Sequence, residues 1–332
     1  MIHTRSLTKD FVVSRTQTVH AVRGVDLDIA PGELVAVLGP NGAGKTTTMR
    51  ILTTLIPPTA GNATVAGHDV VTEAAQVRRR IGYVGQGNGA GHTQRAGDEL
   101  YTQALIYGLD RRAARRRSGE LLESLDLTEL AGRKVSELSG GQRRRLDVAM
   151  GLVHAPSLLF LDEPSTGLDP HNRANLWQHI GQMRAAHEMT IVLTTHYLDE
   201  ADAMAERVIV VDHGQVIADD SPDVLKARLA GDRIALTASP AAVGQLAQLA
   251  SRLPGARDVV AEGTKVALRV SDGPGALPGL LGTAHGAGIE VVAAQVDRPT
   301  LDDVFLALTG RSLRESATPA EPTTPTSRKD AA

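Results

Sequence analysis

The strongest pattern in the sequence is a set of short, continuously apolar runs joined by segments of helical periodicity. ELVAVLG at 33–39, SLLFLD at 157–162 and TIVLTT at 190–195 have the length and composition of buried strands. GKTTTMRILTTLI after the first run and RANLWQHIGQMRAAH between the other two place apolar residues at helical spacing. This alternation of strand and helix predicts an α/β fold built on a parallel sheet with both faces covered.

Two regions interrupt this alternation. Apolar and polar residues alternate near residues 1–35 and 62–66, which predicts antiparallel strands beside the parallel sheet. Residues of about 87–150 are rich in Arg, Leu and Ala and have helical periodicity, which predicts an inserted helical subdomain. Together these segments predict a first domain over residues 1–230.

The composition changes again near residue 232. RIALTA, KVALRV and GIEVVAAQV have strand character and alternate with helical stretches, which predicts a small α+β accessory domain at about 232–310. RPTLDDVFLALTGR is expected to form a helix that closes this small domain. The remaining residues, 311–332, are rich in Pro, Thr and Ala and are predicted to be a disordered tail.

Composition excludes several classes of protein. The net charge of −3 argues against a general nucleic-acid binder, and the aromatic content of 2% argues against a surface that stacks on single strands. The chain has no cysteine, which excludes disulfides and Cys-ligated zinc. The segment MIHTRSLTKD lacks the apolar core of a signal peptide, and every apolar run is far shorter than the roughly 18 residues that a membrane-spanning helix needs.

A candidate phosphate-binding loop follows the first strand. Gly39, Gly44, Lys45 and Thr46 fit the spacing G-x-x-x-x-G-K-[ST], between a predicted strand and a predicted helix. Glycines allow backbone N–H groups to curl around phosphate oxygens, Lys45 can reach the terminal phosphates, and the Thr46 hydroxyl can ligate Mg²⁺. The alternative is a glycine-rich turn without a ligand. The residues expected to contact the nucleotide here are Gly39, Pro40, Asn41, Gly42, Ala43, Gly44, Lys45, Thr46 and Thr47.

SLLFLDEP provides a second candidate element. Its strand brings Asp162 to a carboxyl end, where ligands bind in open α/β sheets. A carboxylate at this position can hold Mg²⁺ through its water shell, and Glu163 can act as general base towards an attacking water. The alternative is a solvated acidic pair at the end of a strand.

LSGGQRRRL is a Ser-Gly-Gly turn that opens a basic helix, so Ser139 is predicted to cap that helix. The amides of the turn form a second candidate anion site. Simple capping would explain Ser139 but neither the two glycines nor Gln142. We interpret the arginine runs at 78–80, 111–117 and 143–145 as solvated helix faces, although the second could lie near anionic lipid.

Five motifs in this order, GPNGAGKT, LSGGQ, LFLDEP, STGLD and TTH, resemble those of the ATP-binding cassette (ABC) ATPases over about residues 2–230. The resemblance implies a P-loop NTPase fold with a mixed sheet, antiparallel β and helical subdomains, followed here by the small α+β domain. It also implies hydrolysis of ATP with Mg²⁺ as cofactor.

The resemblance further implies roles for individual residues. Gln86 in YVGQ would meet Mg²⁺ and sense a partner, Asp169 in STGLD would lie at a dimer interface, and His196 would contact the γ-phosphate. Phe11 is the candidate for stacking on adenine, with a core Phe on the antiparallel edge as the alternative. The implied catalytic residues are Glu163, His196 and Lys45, the metal ligands are Thr46, Gln86 and Asp162, and the signature residues that close over the ATP of another copy are Ser139, Gly140, Gly141 and Gln142.

Longer stretches, such as HYLDEADAMAERVIVVDHGQVIADDSP and the C-terminal RPTLDDVFLALTGR, resemble the ATP-binding subunits of drug exporters of the daunorubicin-resistance type. This implies a second copy and a separately encoded exporter permease as partners, peripheral attachment to the cytoplasmic face of the membrane, and no nucleic-acid partner. The alternatives are an importer ATPase, which shares the core motifs, and a soluble ABC ATPase that acts on ribosomes or nucleic acid. Residues 87–99 depart from the more apolar stretch of similar proteins and are expected to face the permease.

Overall fold

The computed structural model of the protein describes residues 1–87 and 89–310. The tail predicted to be disordered lies outside the described residues. The described strands form three sheets, one of six strands and two of four. In chain order the strands are β1 Ile2–Ser14, β2 Gln17–Ile29, β3 Leu34–Leu38, β4 Ala60–Val65, β5 His68–Asp69, β6 Ile81–Val84, β7 Leu158–Asp162, β8 Thr190–Thr194, β9 Arg207–Asp212, β10 Gln215–Asp220, β11 Asp232–Ala238, β12 Arg257–Glu262, β13 Lys265–Val270 and β14 Val291–Asp297.

The six-stranded sheet is the centre of the fold and has the order β10-β9-β3-β8-β7-β6. Neighbouring strands in this sheet are parallel, except that β10 runs antiparallel to β9. In β3, Ala36 and Leu38 belong to one core cluster while Val35 and Val37 belong to the cluster on the opposite face. Because successive side chains of a strand point to opposite faces, a strand covered on both sides must be apolar throughout. The α/β prediction from the continuous apolar runs is thus confirmed.

The second sheet has the order β2-β1-β4-β5 and is antiparallel, as predicted for residues 1–35 and 62–66. One of its faces is apolar and packs on the central sheet. Ile2, Leu7 and Ile29 from this face share a core cluster with Met49 and Phe160. The opposite face is largely exposed, which explains the alternation in the sequence.

The first helix begins at Lys45 and ends at Leu52, earlier than the apolar spacing predicted. The Thr53 hydroxyl bonds back to the carbonyl of Met49 at 2.8 Å, and Leu55 is exposed. None of the described helices combines the length and hydropathy needed to cross a bilayer. The helices are α1 Lys45–Leu52, α2 Ala74–Arg80, α3 Ala96–Ile106, α4 Arg111–Ser124, α5 Gly140–Leu152, α6 Pro170–His187, α7 Leu198–Met204, α8 Pro222–Leu225, α9 Val243–Ser251, α10 Gly273–Gly286 and α11 Leu301–Thr309.

Helices α3, α4 and α5 make up most of the segment predicted to be helical. The arginines at 78–80 are exposed, and those at 111–117 are exposed or partly exposed, as expected for solvated helix faces. The prediction is wrong for the run at 143–145, because Arg144 and Arg145 are each only 8% exposed. Both lie on the side of α5 that packs against other elements, where polar groups of those elements bind the guanidinium groups.

The third sheet has the order β12-β13-β11-β14 and carries α9 and α10 on one face. Leu246 and Leu280 of these helices pack on Ile234 and Val266 of the sheet. The sequence predicted β11, β13 and β14 but not β12. That edge strand is mostly exposed on both faces, so its sequence has no apolar alternation to detect.

Helix α11 packs differently from the prediction that it would close the small C-terminal domain. Its buried Val304 and Phe305 belong to the core cluster that contains Trp177 of α6. Helix α11 also contacts α7 and α8, and its Asp303 binds Arg269 of β13 at 3.4 Å. It therefore joins the third sheet to the first part of the chain, and the predicted division between residues 230 and 232 stays a prediction.

We predict that Phe305→Ala lowers the free energy of unfolding of the part formed by residues 1–230 by about 3–5 kcal/mol. The substitution leaves a cavity in the core cluster that contains Trp177. The single tryptophan, Trp177, is buried in the same cluster and reports on it. Urea unfolding followed by its fluorescence measures the loss. Leu306→Ala, at a side chain 45% exposed on the same helix, should cost less than about 1 kcal/mol. An unchanged Trp177 transition in Phe305→Ala would show that α11 stabilises only the third sheet.

Candidate active site

The predicted phosphate loop connects β3 to α1, and two of its glycines are required by the backbone. Gly39 has φ +155° and Gly44 has φ +104°, values that favour glycine. A Cβ on Gly39 would lie 2.1 Å from the carbonyl oxygen of Val211, and one on Gly44 would lie 2.3 Å from that of Ala21. The chain can therefore form this narrow loop only with glycine at both positions.

Lys45 begins α1 and its side chain is buried beneath the loop. The ammonium donates to the carbonyl oxygens of Gly39 at 2.7 Å and Pro40 at 3.1 Å. Burial lowers the pKa of Lys45, while the charges of Glu163 and Asp162 oppose that shift. The Lys45 ammonium is thus buried and held by carbonyl oxygens of the loop. A buried charged donor of this kind forms a strong hydrogen bond with a phosphate oxygen.

Asp162 ends β7 and is 1% exposed. Its Oδ1 accepts from the hydroxyls of Thr194 at 2.6 Å and Thr46 at 3.2 Å. Among residues 1–87 and 89–310, no cluster of three His, Cys, Asp or Glu could hold a metal by itself. One carboxylate beside one hydroxyl instead fits Mg²⁺, which in nucleotide sites takes one or two carboxylates and fills its octahedron with phosphate oxygens and water.

Glu163 follows directly and has a left-handed backbone with φ +49°. Its N–H donates to the carbonyl oxygen and the hydroxyl of Thr194, both at 3.1 Å. Such a conformation costs about 1–3 kcal/mol for a residue other than glycine. Its Oε2 lies 3.6 Å from Nδ1 of His196 and accepts from the Thr166 hydroxyl at 3.3 Å. The structure therefore brings together the carboxylate predicted as base and the histidine predicted to contact the γ-phosphate.

A stack of three side chains beside His196 was not foreseen from the sequence. The ring of Tyr197 lies 4.2 Å from that of His196, and the Arg173 guanidinium lies 3.7 Å from the centre of the Tyr197 ring. Arg173 also pairs with the buried carboxylate of Glu200 at 3.3 Å. Arg173 is on α6, whose first turn follows Asp169, so this stack connects α6 to the histidine. No motif or spacing in the sequence indicates such a contact between distant segments.

Most residues predicted for the loop line a cleft of about 440 Å³, although Gly39 and Pro40 do not. Phe11 lies at this cleft and is 40% exposed, so the alternative that it is a core residue is wrong, while its stacking on adenine stays a prediction. Asp162 and His196 do not line the cleft, but Asp162 contacts the lining residue Thr46 and His196 contacts the lining residue Glu163. The lining residues are Phe11, Val19, His20, Ala21, Asn41, Gly42, Ala43, Gly44, Lys45, Thr46, Thr47, Gln86 and Glu163.

The LSGGQ turn does not line this cleft within the described part of the chain. Ser139 caps α5 as predicted, accepting from the Gln142 N–H at 3.3 Å, while Gln142 Oε1 accepts from the Ser139 N–H at 2.9 Å. This capping box accounts for Gln142, contrary to the expectation that capping would not explain it. Packing accounts for Gly141, since a Cβ there would lie 2.5 Å from Asn172 Oδ1.

Neither capping nor packing against the described residues explains why position 140 is a glycine. It is exposed, and a Cβ there would meet no atom within 4 Å among the described residues. Asp169 caps α6 close by, accepting from the Asn172 N–H at 2.9 Å and its amide group at 2.6 Å, and these hydrogen bonds lower the pKa of Asp169. Because Asn172 also abuts Gly141, the LSGGQ turn and the start of α6 form one continuous exposed surface.

Comparison with known proteins identifies related chains. Residues 22–166 match the family described as ABC transporter, and residues 221–309 match the family described as ATP-binding protein DrrA1-3-like, C-terminal domain. The chain is 43% identical over 315 residues to the daunorubicin resistance ATP-binding protein DrrA3 of Streptomyces coeruleorubidus, covering 94% of this chain and 99% of that protein. It is 35% identical over 297 residues to the linearmycin resistance ATP-binding protein LnrL of Bacillus subtilis, covering 89% and 95%.

Solved structures agree with the fold. An ATP-binding cassette solved as a dimer in a post-hydrolysis state, bound to ADP and Pi, is 26% identical with a TM-score of 0.61. The match covers 67% of this chain and 98% of that cassette. The resemblance found in the sequence motifs and the predicted fold are thus both confirmed.

We predict that Lys45→Ala weakens ATP binding about 10- to 100-fold, because a charged hydrogen-bond donor contributes about 1.5–3 kcal/mol. Titration calorimetry with ATP and Mg²⁺ measures the dissociation constant. Lys265→Ala removes the same charge from an exposed position on β13 and should leave ATP binding unchanged. Equal affinities of the parent and Lys45→Ala would contradict the assignment of Lys45 to the phosphates.

Proposed function

The chain belongs to the ABC transporter ATPases of the daunorubicin-resistance type, and from this membership we propose that two copies close around two ATP molecules to drive a separate membrane permease. As a member of this family the chain binds and hydrolyses ATP. The proposal concerns the residues that perform the reaction, the second copy, the permease and the transported compound.

The observation that carries the dimer proposal is Gly140. This residue, at the exposed start of α5, is a glycine that neither capping nor packing against the described residues requires. A missing side chain at a helix N-terminus allows a phosphate to approach the backbone N–H groups closely. The LSGGQ turn does not line the cleft around Lys45, and in the proposed dimer the turn of a second copy would close over the nucleotide bound there.

Within one site, we propose that Lys45 and the N–H groups of the loop bind the phosphates. Thr46, Gln86 and Asp162 would hold Mg²⁺, which supplies charge neutralisation on the phosphate oxygens when bound. Glu163 would accept a proton from the attacking water. His196, held against Tyr197 and 3.6 Å from Glu163, would orient the γ-phosphate beside that base.

We propose that the permease is encoded separately and that the chain attaches to it at the cytoplasmic face of the membrane. The names of two relatives, for resistance to daunorubicin and to linearmycin, favour export of drugs or other hydrophobic compounds. Residues 87–99 remain the proposed side that faces the permease.

Glu163→Gln tests the catalytic and dimer proposals together. Loss of the base should slow hydrolysis about 10²- to 10⁴-fold without loss of ATP binding, so that ATP and Mg²⁺ trap a dimer. Size-exclusion chromatography with and without ATP measures the dimer, and phosphate release measures hydrolysis. Lys45→Ala added to Glu163→Gln should abolish the trapped dimer, whereas the exposed Glu262→Gln should behave like the parent. Hydrolysis at the parental rate by Glu163→Gln would refute its role as base.

A pull-down tests the transport proposal. We expect the tagged chain, purified from detergent-solubilised membranes of the source cells, to retain a polytopic membrane protein in stoichiometric amount. A tag-only bait from the same extract serves as control. Recovery of the chain only as a free monomer, with no membrane protein attached, would contradict a transporter subunit.

A further inference from the structure

Helix α5 carries two buried side chains of opposite charge just beyond the LSGGQ turn. Arg144 is 8% exposed and Asp147 is 5% exposed. They are three residues apart and therefore lie on the same side of the helix, about 6 Å and about 10 Å along the helix axis from Gly140. Burial lowers the pKa of Arg144 and raises that of Asp147, while their mutual attraction opposes both shifts. Because removing a charge from water is costly, two buried charges need specific partners.

The partners of Arg144 are backbone carbonyls of the active site. Its Nε donates to Pro164 O at 2.7 Å and its Nη1 donates to Gly85 O at 2.7 Å. Its Nη2 lies 3.3 Å from Asp162 O and 3.4 Å from Glu163 O. One guanidinium thus binds the turn that carries the proposed base and also the residue immediately before Gln86.

Asp147 binds the other side of the same loop. Its Oδ1 accepts from the N–H groups of Gly89 at 2.9 Å and Ala90 at 3.3 Å. Gln86 therefore lies between two attachment points, Gly85 and Gly89, that are both bound by α5. These contacts also give a structural role to Gly89 and Ala90 of the unusual segment 87–99.

We infer that Arg144 and Asp147, which we call the α5 brace, are positioning residues that couple the two ATP sites of the proposed dimer. The LSGGQ turn at one end of α5 would contact the ATP held by the partner copy, so the inference rests on the proposed function. Through the brace, a displacement of α5 on closing moves the backbone around Gln86 and Glu163 of the chain's own site. Neither brace residue lines the cleft around Lys45.

A helix transmits such a displacement because its backbone hydrogen bonds make it stiff over 13 residues. The geometry of Arg144 suits the task, since a planar guanidinium can bind several carbonyls at once and a lysine ammonium is a single point charge. Arg145 offers an internal control. It is equally buried on the same helix, but its partners are Asn175 and Asp126, outside the proposed catalytic turn.

The first experiment measures steady-state ATP hydrolysis by the full-length chain against ATP concentration. The parent should show a Hill coefficient between 1 and about 2, the limit for two coupled sites. Arg144→Lys should lower kcat at least about tenfold and bring the Hill coefficient to about 1, because losing one charged hydrogen bond costs about 1.5 kcal/mol or more. Its calorimetric affinity for ATP should stay within about twofold, since Lys45 and the phosphate loop are unchanged.

The matched variant Arg145→Lys should keep the parental Hill coefficient, with thermal unfolding recorded for both variants to show that they are folded. Equal loss of cooperativity in Arg145→Lys and Arg144→Lys would overturn the brace, as would a parental kcat and Hill coefficient in Arg144→Lys. A parent that hydrolyses ATP with a Hill coefficient of 1 also overturns it and leaves the proposed function intact. A parent without ATP hydrolysis would instead contradict the proposed function.

Hydrogen exchange tests the brace without hydrolysis. In Asp147→Ala, the amides of Gly89 and Ala90 should exchange at least about tenfold faster than in the parent, because they lose a charged acceptor. In Arg145→Lys they should exchange at the parental rate. Unchanged exchange of Gly89 and Ala90 in Asp147→Ala would overturn the proposed attachment even if hydrolysis is affected.

Discussion

The carboxylate of Asp162 accepts hydrogen bonds from Thr194, which ends β8, and from Thr46, which lies in the first turn of α1. A carboxylate this buried is tolerated only when it is hydrogen-bonded or ion-paired. The requirement fixes the ends of two strands and the start of one helix in a single place, and in the ladder Asp162 is the direct partner of Thr194. The glycine loop, Glu163 and His196 lie close together because these elements end in the same place.

Helix α5 extends this arrangement to a second surface. It begins at the exposed residues Ser139 and Gly140, whereas its later turns are buried and bind the backbone on both sides of Gln86. In the proposed dimer, the same helix would therefore belong to two sites. Arg173 makes a comparable connection from the start of α6 to His196 through Tyr197. Contacts that link the proposed dimer surface to the proposed catalytic groups are thus made by buried or stacked side chains.

The sequence predicted the elements with the strongest periodicity. β3, β7 and β8 were found because a strand covered on both faces must be apolar throughout, and α6 because its buried residues recur at helical spacing. It missed β12, whose residues are mostly exposed. The prediction for the run at 143–145 was wrong because the partners of Arg144 are backbone carbonyls of distant segments. Nothing near an arginine in the sequence indicates that such carbonyls will bind it in the interior.

The sequence by itself determined which local structures could exist: a glycine loop after an apolar strand, acidic residues at the end of another, and a capped turn before a basic helix. These follow from backbone sterics and side-chain chemistry over a few neighbouring residues. Only the tertiary structure decided what those pieces contact. The packing of α11 into the first core, the stack beside His196 and the attachment of α5 to Gly85 and Gly89 join segments far apart in the chain. Such contacts depend on which elements pack together, whereas the periodicity of a segment shows only that one of its faces is buried.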